Sequence, residues 1–138
     1  MLKRNKRFFL MLLTLALPVG CVGCSDGGSA TYEQISGAEA KALMDSESGY
    51  IIIDARTQEE YDEGHIPGAI MIPEYEIADR AEKELPDKDQ LILVYCRSGR
   101  RSKIAAEELV KLGYTNVKEF GGIIDWSGET ETNEGGLL

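Results

Sequence analysis

The chain has 138 residues, the size of one ordinary domain, and its 43% hydrophobic content suits a globular core. The net charge is −9, and four of the basic residues (Lys3, Arg4, Lys6, Arg7) sit in a leader with no acid. Without those four, 11 basic residues face 24 acidic ones, a net −13, which excludes binding of nucleic acid or anionic lipid through the body's general field.

After the basic residues, Phe8 to Val19 form an apolar run of 12 residues broken only by Thr14. That is short for a bilayer span and fits the apolar part of a secretory signal peptide. Gly20-Cys21-Val22-Gly23-Cys24-Ser25 comes next and resembles a bacterial lipoprotein signal, in which a small residue precedes a cysteine that is lipidated after cleavage. The resemblance implies a signal peptide over residues 1–24 with Cys24 as the lipidated residue, Cys21 being the alternative. A flexible polar linker over 25–31 then leads to the domain. The domain is expected on the outer face of the cytoplasmic membrane or in the periplasm, held to the membrane by a lipid anchor. An uncleaved anchor would alter the attachment and not the compartment. Cys21 and Cys24 also make a C-x-x-C, but no βαβ unit surrounds the pair, so no redox or metal role is assigned to it. With Cys24 lipidated, Cys96 stands alone in an oxidising compartment, a liability unless the thiol is used.

In chain order, Ala30 to Ile35 reads as a short first strand. Ser36 caps a helix running to about Asp45, with Glu39 at the third helical position. Tyr50 to Asp54 is a buried strand, and Thr57 opens a helix with Glu59 and Glu60 near its N-terminus. Gly64-His65-Ile66-Pro67-Gly68 is a loop, and Ala69 to Ile72 a short strand that Pro73 ends. Glu74 to Leu85 reads as one acidic-faced helix. Leu91 to Tyr95 is the central strand, and Lys103 to Leu112 a helix with Ile104, Ala105, Leu109 and Leu112 on its apolar face. Gly113 caps that helix. Asn116 to Phe120 is a last strand, and Gly121-Gly122 opens a helical turn carrying Trp126, expected to pack in the core. The domain is expected over residues 32–127, with a frayed polar, acidic tail at 128–138. Strands alternating with helices imply an α/β fold, a parallel sheet covered by helices on both faces.

Between the central strand and its helix lies Cys96-Arg97-Ser98-Gly99-Arg100-Arg101-Ser102. A cysteine there sits at the carboxyl edge of the sheet, where open α/β sheets bind ligands. The following helix offers unpaired N–H groups and the positive end of its dipole. Four of the 11 basic residues outside the leader fall between Arg97 and Lys103. The expected outcome is a depressed thiol pKa, favoured by the helix N-terminus and by Arg97, Arg100 and Arg101, and a site for a small anion.

The loop resembles the active-site loop of rhodaneses, the single-domain sulfurtransferases. Other segments carry the same resemblance: Asp54-Ala55-Arg56, Glu60-Tyr61, Gly64 to Ala69, Ile72-Pro73, and Gly121-Gly122-Ile123 with Trp126. Ser127 to Leu138 lacks the Gly-x-Pro segment that often follows in that family. The resemblance implies a five-stranded rhodanese-like sheet, with Cys96 as nucleophile toward the outer sulfur of a donor such as thiosulfate. A Cys96 persulfide would pass that sulfur to cyanide, a thiol or a protein acceptor, with no cofactor and no metal. The residues themselves suit a covalent two-step displacement. Main-chain amides of Arg97 to Ser102, including Gly99, make a nest for the sulfur. Arg97 and Arg101 attract the donor, Arg101 being placed to hold an oxyanion bidentately. Arg100 is either part of this cluster or solvated. Ser98 or Ser102 donates a hydrogen bond, unless Ser102 is only the helix N-cap. Asp54, Arg56 and His65 are expected to brace the surrounding loops. Two rivals remain at this point. A cysteine phosphatase loop, C-x5-R, needs arginine at 102, where Ser102 stands. A persulfide carrier would load one sulfur and show little multiple turnover.

Overall fold

The structure, a computed structural model, describes residues 31–133. The leader with Cys21 and Cys24, and all but the last residue of the linker, lie outside the described residues. Elements follow in the order β1 (Glu33–Gln34), α1 (Gly37–Ser46), β2 (Ile51–Asp54), α2 (Gln58–Glu63), β3 (Ile70–Met71), α3 (Ile77–Glu84), β4 (Ile92–Cys96), α4 (Arg100–Lys111) and β5 (Val117–Gly122). Short 3₁₀ turns cover Glu74–Glu76 and Ile123–Asp125. The single helix expected from Glu74 is thus a 3₁₀ turn followed by α3. Ser36 and Thr57 each close a capping box, with Glu39 and Glu60 returning a bond to the cap N–H.

All five strands are parallel, in the order β1-β5-β4-β2-β3, so β4 lies at the centre. Its five residues are all buried, and their side chains alternate between two cores. Ile92, Val94 and Cys96 face Ile77, Ala81, Ala105 and Leu109 from α3 and α4. Leu93 and Tyr95 face Ala40, Ile66 and Phe120 on the α1 side, where Trp126 also packs. Strand alternation alone therefore aims the Cys96 sulfur at the N-terminal end of α4.

That helix begins three residues earlier than its periodicity suggests. Gly99 is its N-cap at φ 108°, and Ser102, Ala105, Ala106 and Leu109 form the buried stripe. Ser102 is the inward first member of that stripe, which rotates Ile104 to the surface at 43% exposure. Ser102 therefore lies inside the first turn and is not the cap.

The last strand runs on through Gly122, because its end packs against the loop after β4. A Cβ on Gly122 would come 2.0 Å from the Arg97 carbonyl oxygen. Nor does the chain fray at residue 128. Glu131 pairs with His65 as an antiparallel bridge, with N–H···O distances of 2.9 and 2.8 Å, and Asn133 reaches the Asp62 carboxylate. Gly122→Ala should be poorly tolerated, since backbone blocks the new methyl. We expect urea unfolding to show a loss of at least about 2 kcal/mol, at the upper end of ordinary overpacking.

Candidate active site

The site is built where β4, β5 and the start of α4 meet. Cys96 closes the central strand, and the chain then turns through only Arg97 and Ser98 before the left-handed Gly99 starts the helix. This tight turn brings the Gly99 N–H to 3.0 Å from the Cys96 sulfur. The Ser102 hydroxyl lies 3.4 Å from the same atom. Cys96 is 1% exposed. Burial pushes the Cys96 thiol up. Hydrogen bonds from the Ser102 side chain and from the amides of Ser102, Gly99 and Ser98 outweigh it, leaving the pKa below the ordinary thiol value.

The amides at the start of α4 contribute to that depression as expected, and the arginines contribute less than expected. Arg97 and Arg100 are exposed and are not what lowers the thiol. Arg101 is not a free anion clamp either. Its guanidinium grips the Glu60 carboxylate through Nη1 at 2.6 Å and Nη2 at 2.8 Å. The fork that the sequence assigns to an oxyanion is thus filled from within the fold, by a residue at the N-terminus of α2. Arg101 in turn holds the Glu60 pKa down to about 2.

Asp54 and Arg56 form a second, buried network. Arg56 donates to both Asp54 oxygens, through Nε at 2.9 Å and Nη2 at 2.7 Å, and Nη2 also donates to the Gly64 carbonyl at 2.6 Å. The Tyr95 hydroxyl donates to Asp54 at 2.6 Å and accepts from the Ile66 N–H at 3.0 Å. Burial and the Asp54 carboxylate push the Tyr95 phenol far above its ordinary value. His65 stacks on Tyr61 at 3.7 Å between ring centroids. Its Nδ1 lies 2.8 Å from the Tyr61 carbonyl and its Nε2 3.3 Å from Glu131. Asp54, Arg56 and His65 are thus engaged with the loops around the sheet edge.

Sequence reasoning missed two members of the site. Glu119 is a carboxylate only 3% exposed, and it accepts from the Ser102 hydroxyl at 2.6 Å and from the Gly121 N–H at 2.8 Å. Its signal was present in the sequence, a charged residue within the apolar strand pattern VKEF, but its partner lies 17 residues upstream. The other is Glu60, whose role depends on a pairing 41 residues away. Among the described residues there is no cluster of side chains suited to a metal ion.

A buried thiol with a lowered pKa, ringed by amides at the carboxyl edge of a parallel sheet, defines a class of α/β domain suited to chemistry on a cysteine. Comparison makes the class specific. The family model for the rhodanese-like domain matches residues 36–129, and the chain belongs to that family. A solved rhodanese with anions from Escherichia coli is 38% identical, with a TM-score of 0.59, over 62% of this chain and 100% of that one. The thiosulfate sulfurtransferase PspE of Escherichia coli is 44% identical over 73 residues, 53% of this chain and 70% of that protein. A Bacillus subtilis protein named as a candidate sulfur carrier, YrkF, is 38% identical over 108 residues. That match takes in 78% of this chain, which spans 57% of the relative's length. Sulfur transfer is the chemistry these relatives share.

The Glu60–Arg101 pair makes a pH prediction. A carboxylate depressed on folding adds stability that is complete above its unfolded pKa, about 4.3, and is lost as the pH falls through its folded one. In Glu60→Gln that contribution is absent and Arg101 is left without its partner. Urea midpoints should therefore place the variant below the parent above about pH 5, with the gap closing as the pH approaches 2. A gap that stays constant with pH would mean that the pair adds nothing to stability.

Proposed function

We propose that this chain is a sulfurtransferase that moves a sulfane sulfur from thiosulfate or a persulfide to a thiol or cyanide through a persulfide on Cys96. The observation that carries the reading is the Cys96 sulfur itself, with its pKa lowered by main-chain amides and lying 3.0 Å from the Gly99 N–H. In the first half-reaction the Cys96 thiolate attacks the outer sulfur of thiosulfate. The donor's S–S bond breaks, and sulfite leaves with the electron pair. In the second, an acceptor thiolate or cyanide attacks the outer sulfur of the persulfide, and Cys96 leaves as the thiolate. Neither step requires a strong general acid, since both leaving groups depart as stabilised anions. The amides at Ser98, Gly99 and Ser102 suit a sulfur that is anionic at both the start and the end of the cycle.

Arg97, Arg100 and Arg101 supply attraction for the anionic donor at the mouth. For Arg101 that role requires the donor to share or displace the Glu60 carboxylate. The loop also argues against a phosphatase. The position that would carry the phosphate-binding arginine is Ser102, which is buried and bonded to Glu119. The second reading, a carrier that loads one sulfur without efficient turnover, is favoured by the likeness to YrkF.

Intact mass of the purified domain before and after thiosulfate tests the assignment. We expect a gain of one sulfur atom that Cys96→Ser abolishes. An unchanged mass in the parent, or the same gain in both proteins, would overturn it. Multiple turnovers with cyanide or a small thiol separate the enzyme from the carrier. Arg101→Ala should raise the KM for thiosulfate about tenfold, the scale of one lost hydrogen bond to a charged group.

We also propose that the domain is exported and held at the membrane through a lipid on Cys24, with Cys21 as the alternative. The leader pattern of basic residues, apolar run and small residue before cysteine supports this. Labelling with a radioactive fatty acid in a bacterial host should mark the parent and not Cys24→Ser. A label lost only in Cys21→Ser would move the site, and no label in the parent would exclude a lipid anchor.

A further inference from the structure

Four acceptors surround the single proton of the Ser102 hydroxyl. Its oxygen lies 2.6 Å from Glu119 Oε1, 3.1 Å from the Gly99 carbonyl, 3.3 Å from the Gly121 carbonyl and 3.4 Å from the Cys96 sulfur. A hydroxyl has one hydrogen to give and two lone pairs. The 2.6 Å contact has the length of a hydroxyl donating to an ionised carboxylate, a bond roughly twice as strong as a neutral one. Glu119 cannot swing away easily, since it is almost fully buried and its Oε1 is pinned by the Gly121 N–H at 2.8 Å. With its hydrogen turned to Glu119, Ser102 shows the sulfur only lone pairs. It then accepts from the thiol S–H and cannot donate to the thiolate. The lowering that a Ser102 donor bond supplies to the thiol is therefore available only when the hydroxyl turns from Glu119 to the sulfur, whereas the amides of Ser102, Gly99 and Ser98 act in either orientation.

We propose that Glu119 is a positioning residue that holds the Ser102 proton, keeps the serine from capping the Cys96 thiolate, and so biases the sulfur toward attack. The kinetic consequence rests on the sulfur-transfer reading above, while the arrangement of the three side chains does not. No proton moves onto Glu119 in either half-reaction. What changes is the acceptor that the Ser102 hydrogen faces. A thiolate that gains this donor is more stable, less nucleophilic and a better leaving group. Freeing Ser102 would thus slow sulfur pick-up, in which Cys96 attacks, and quicken hand-off, in which it leaves.

The other charges near the site have partners of their own or face solvent. Arg101 remains paired with Glu60, Lys118 of β5 with Glu33 of β1, and Arg56 with Asp54 at the end of β2. Arg97 and Arg100 are exposed at the loop, and Glu74 interacts electrostatically with Arg101.

The test is a double-mutant cycle read as the pH midpoint of Cys96 alkylation by iodoacetamide, in the parent, Glu119→Gln, Ser102→Ala and the double variant. Glu119→Gln should lower the midpoint by about one unit and the high-pH rate about threefold, as the falling nucleophilicity of a more acidic thiol requires. Most of that shift should vanish when Ser102→Ala is already present and return in Ser102→Thr, which restores the hydroxyl. An equal shift with and without the hydroxyl would mean that the Glu119 charge acts through space, and would overturn the proposal. So would an unchanged or raised midpoint in Glu119→Gln. Should Glu119→Gln not fold, Ser102→Ala decides alone. A midpoint close to the parent's supports the proposal, and a rise of about one unit, the mark of a lost donor to the thiolate, sinks it. In the transfer assay, Glu119→Gln should form persulfide from thiosulfate more slowly and discharge it to a thiol faster. A parent that forms no persulfide would remove the sulfurtransferase assignment and leave the alkylation cycle readable. A normal parent with no coupling in the cycle would remove only the role of Glu119.

Discussion

The site depends on one close approach of backbone to backbone, where the end of β5 lies against the loop that follows β4. At Gly122 the Arg97 carbonyl stands where any side chain would have to be. That contact holds the loop folded back over the sulfur, and the left-handed Gly99 lets the helix begin at once. The result is a thiol whose surroundings are main-chain amides fixed by the sheet and the helix. Donors of this kind need no reorganisation when the sulfur ionises, which makes them more dependable than long side chains.

The charges play a different part from the one their number suggests. The body is strongly acidic and places four of its 11 basic residues outside the leader between Arg97 and Lys103. Yet the thiol is lowered chiefly by hydrogen bonds from the Ser102 side chain and the loop amides, with the Arg101 charge interacting with it as well. Arg97 and Arg100 are exposed, so their charge faces the solvent. Arg101 is neutralised by Glu60, so the immediate surroundings of the sulfur are less positive than the sequence implies.

Buried polar groups form two separate systems around the central strand. On one side Asp54, Arg56 and Tyr95 tie the end of β2 to the loop carrying Gly64 and Ile66. On the other Ser102 and Glu119 tie α4 to β5 behind the sulfur. The first fixes the rim of the site. The second reaches the Cys96 sulfur through one hydroxyl. Each network joins elements far apart in the chain and adjacent in space, so the geometry at Cys96 and the integrity of the sheet are maintained by the same bonds.

By itself the sequence determined what depends on neighbours along the chain. Runs of branched apolar residues marked β2 and β4, Ser36 and Thr57 with their glutamates marked two helix starts, and the cysteine between a strand and a helix marked the residue proposed as nucleophile. The loop motif and the flanking segments together pointed to the family. What only tertiary structure decided were pairings across the fold: Arg101 with Glu60, Ser102 with Glu119, and His65 with Glu131, which holds a tail that composition alone would leave loose. The physical reason is range. A cap or a strand pattern is written in residues a few positions apart, whereas an arginine fork or a buried carboxylate takes whichever partner the packed sheet and helices bring within about 3 Å.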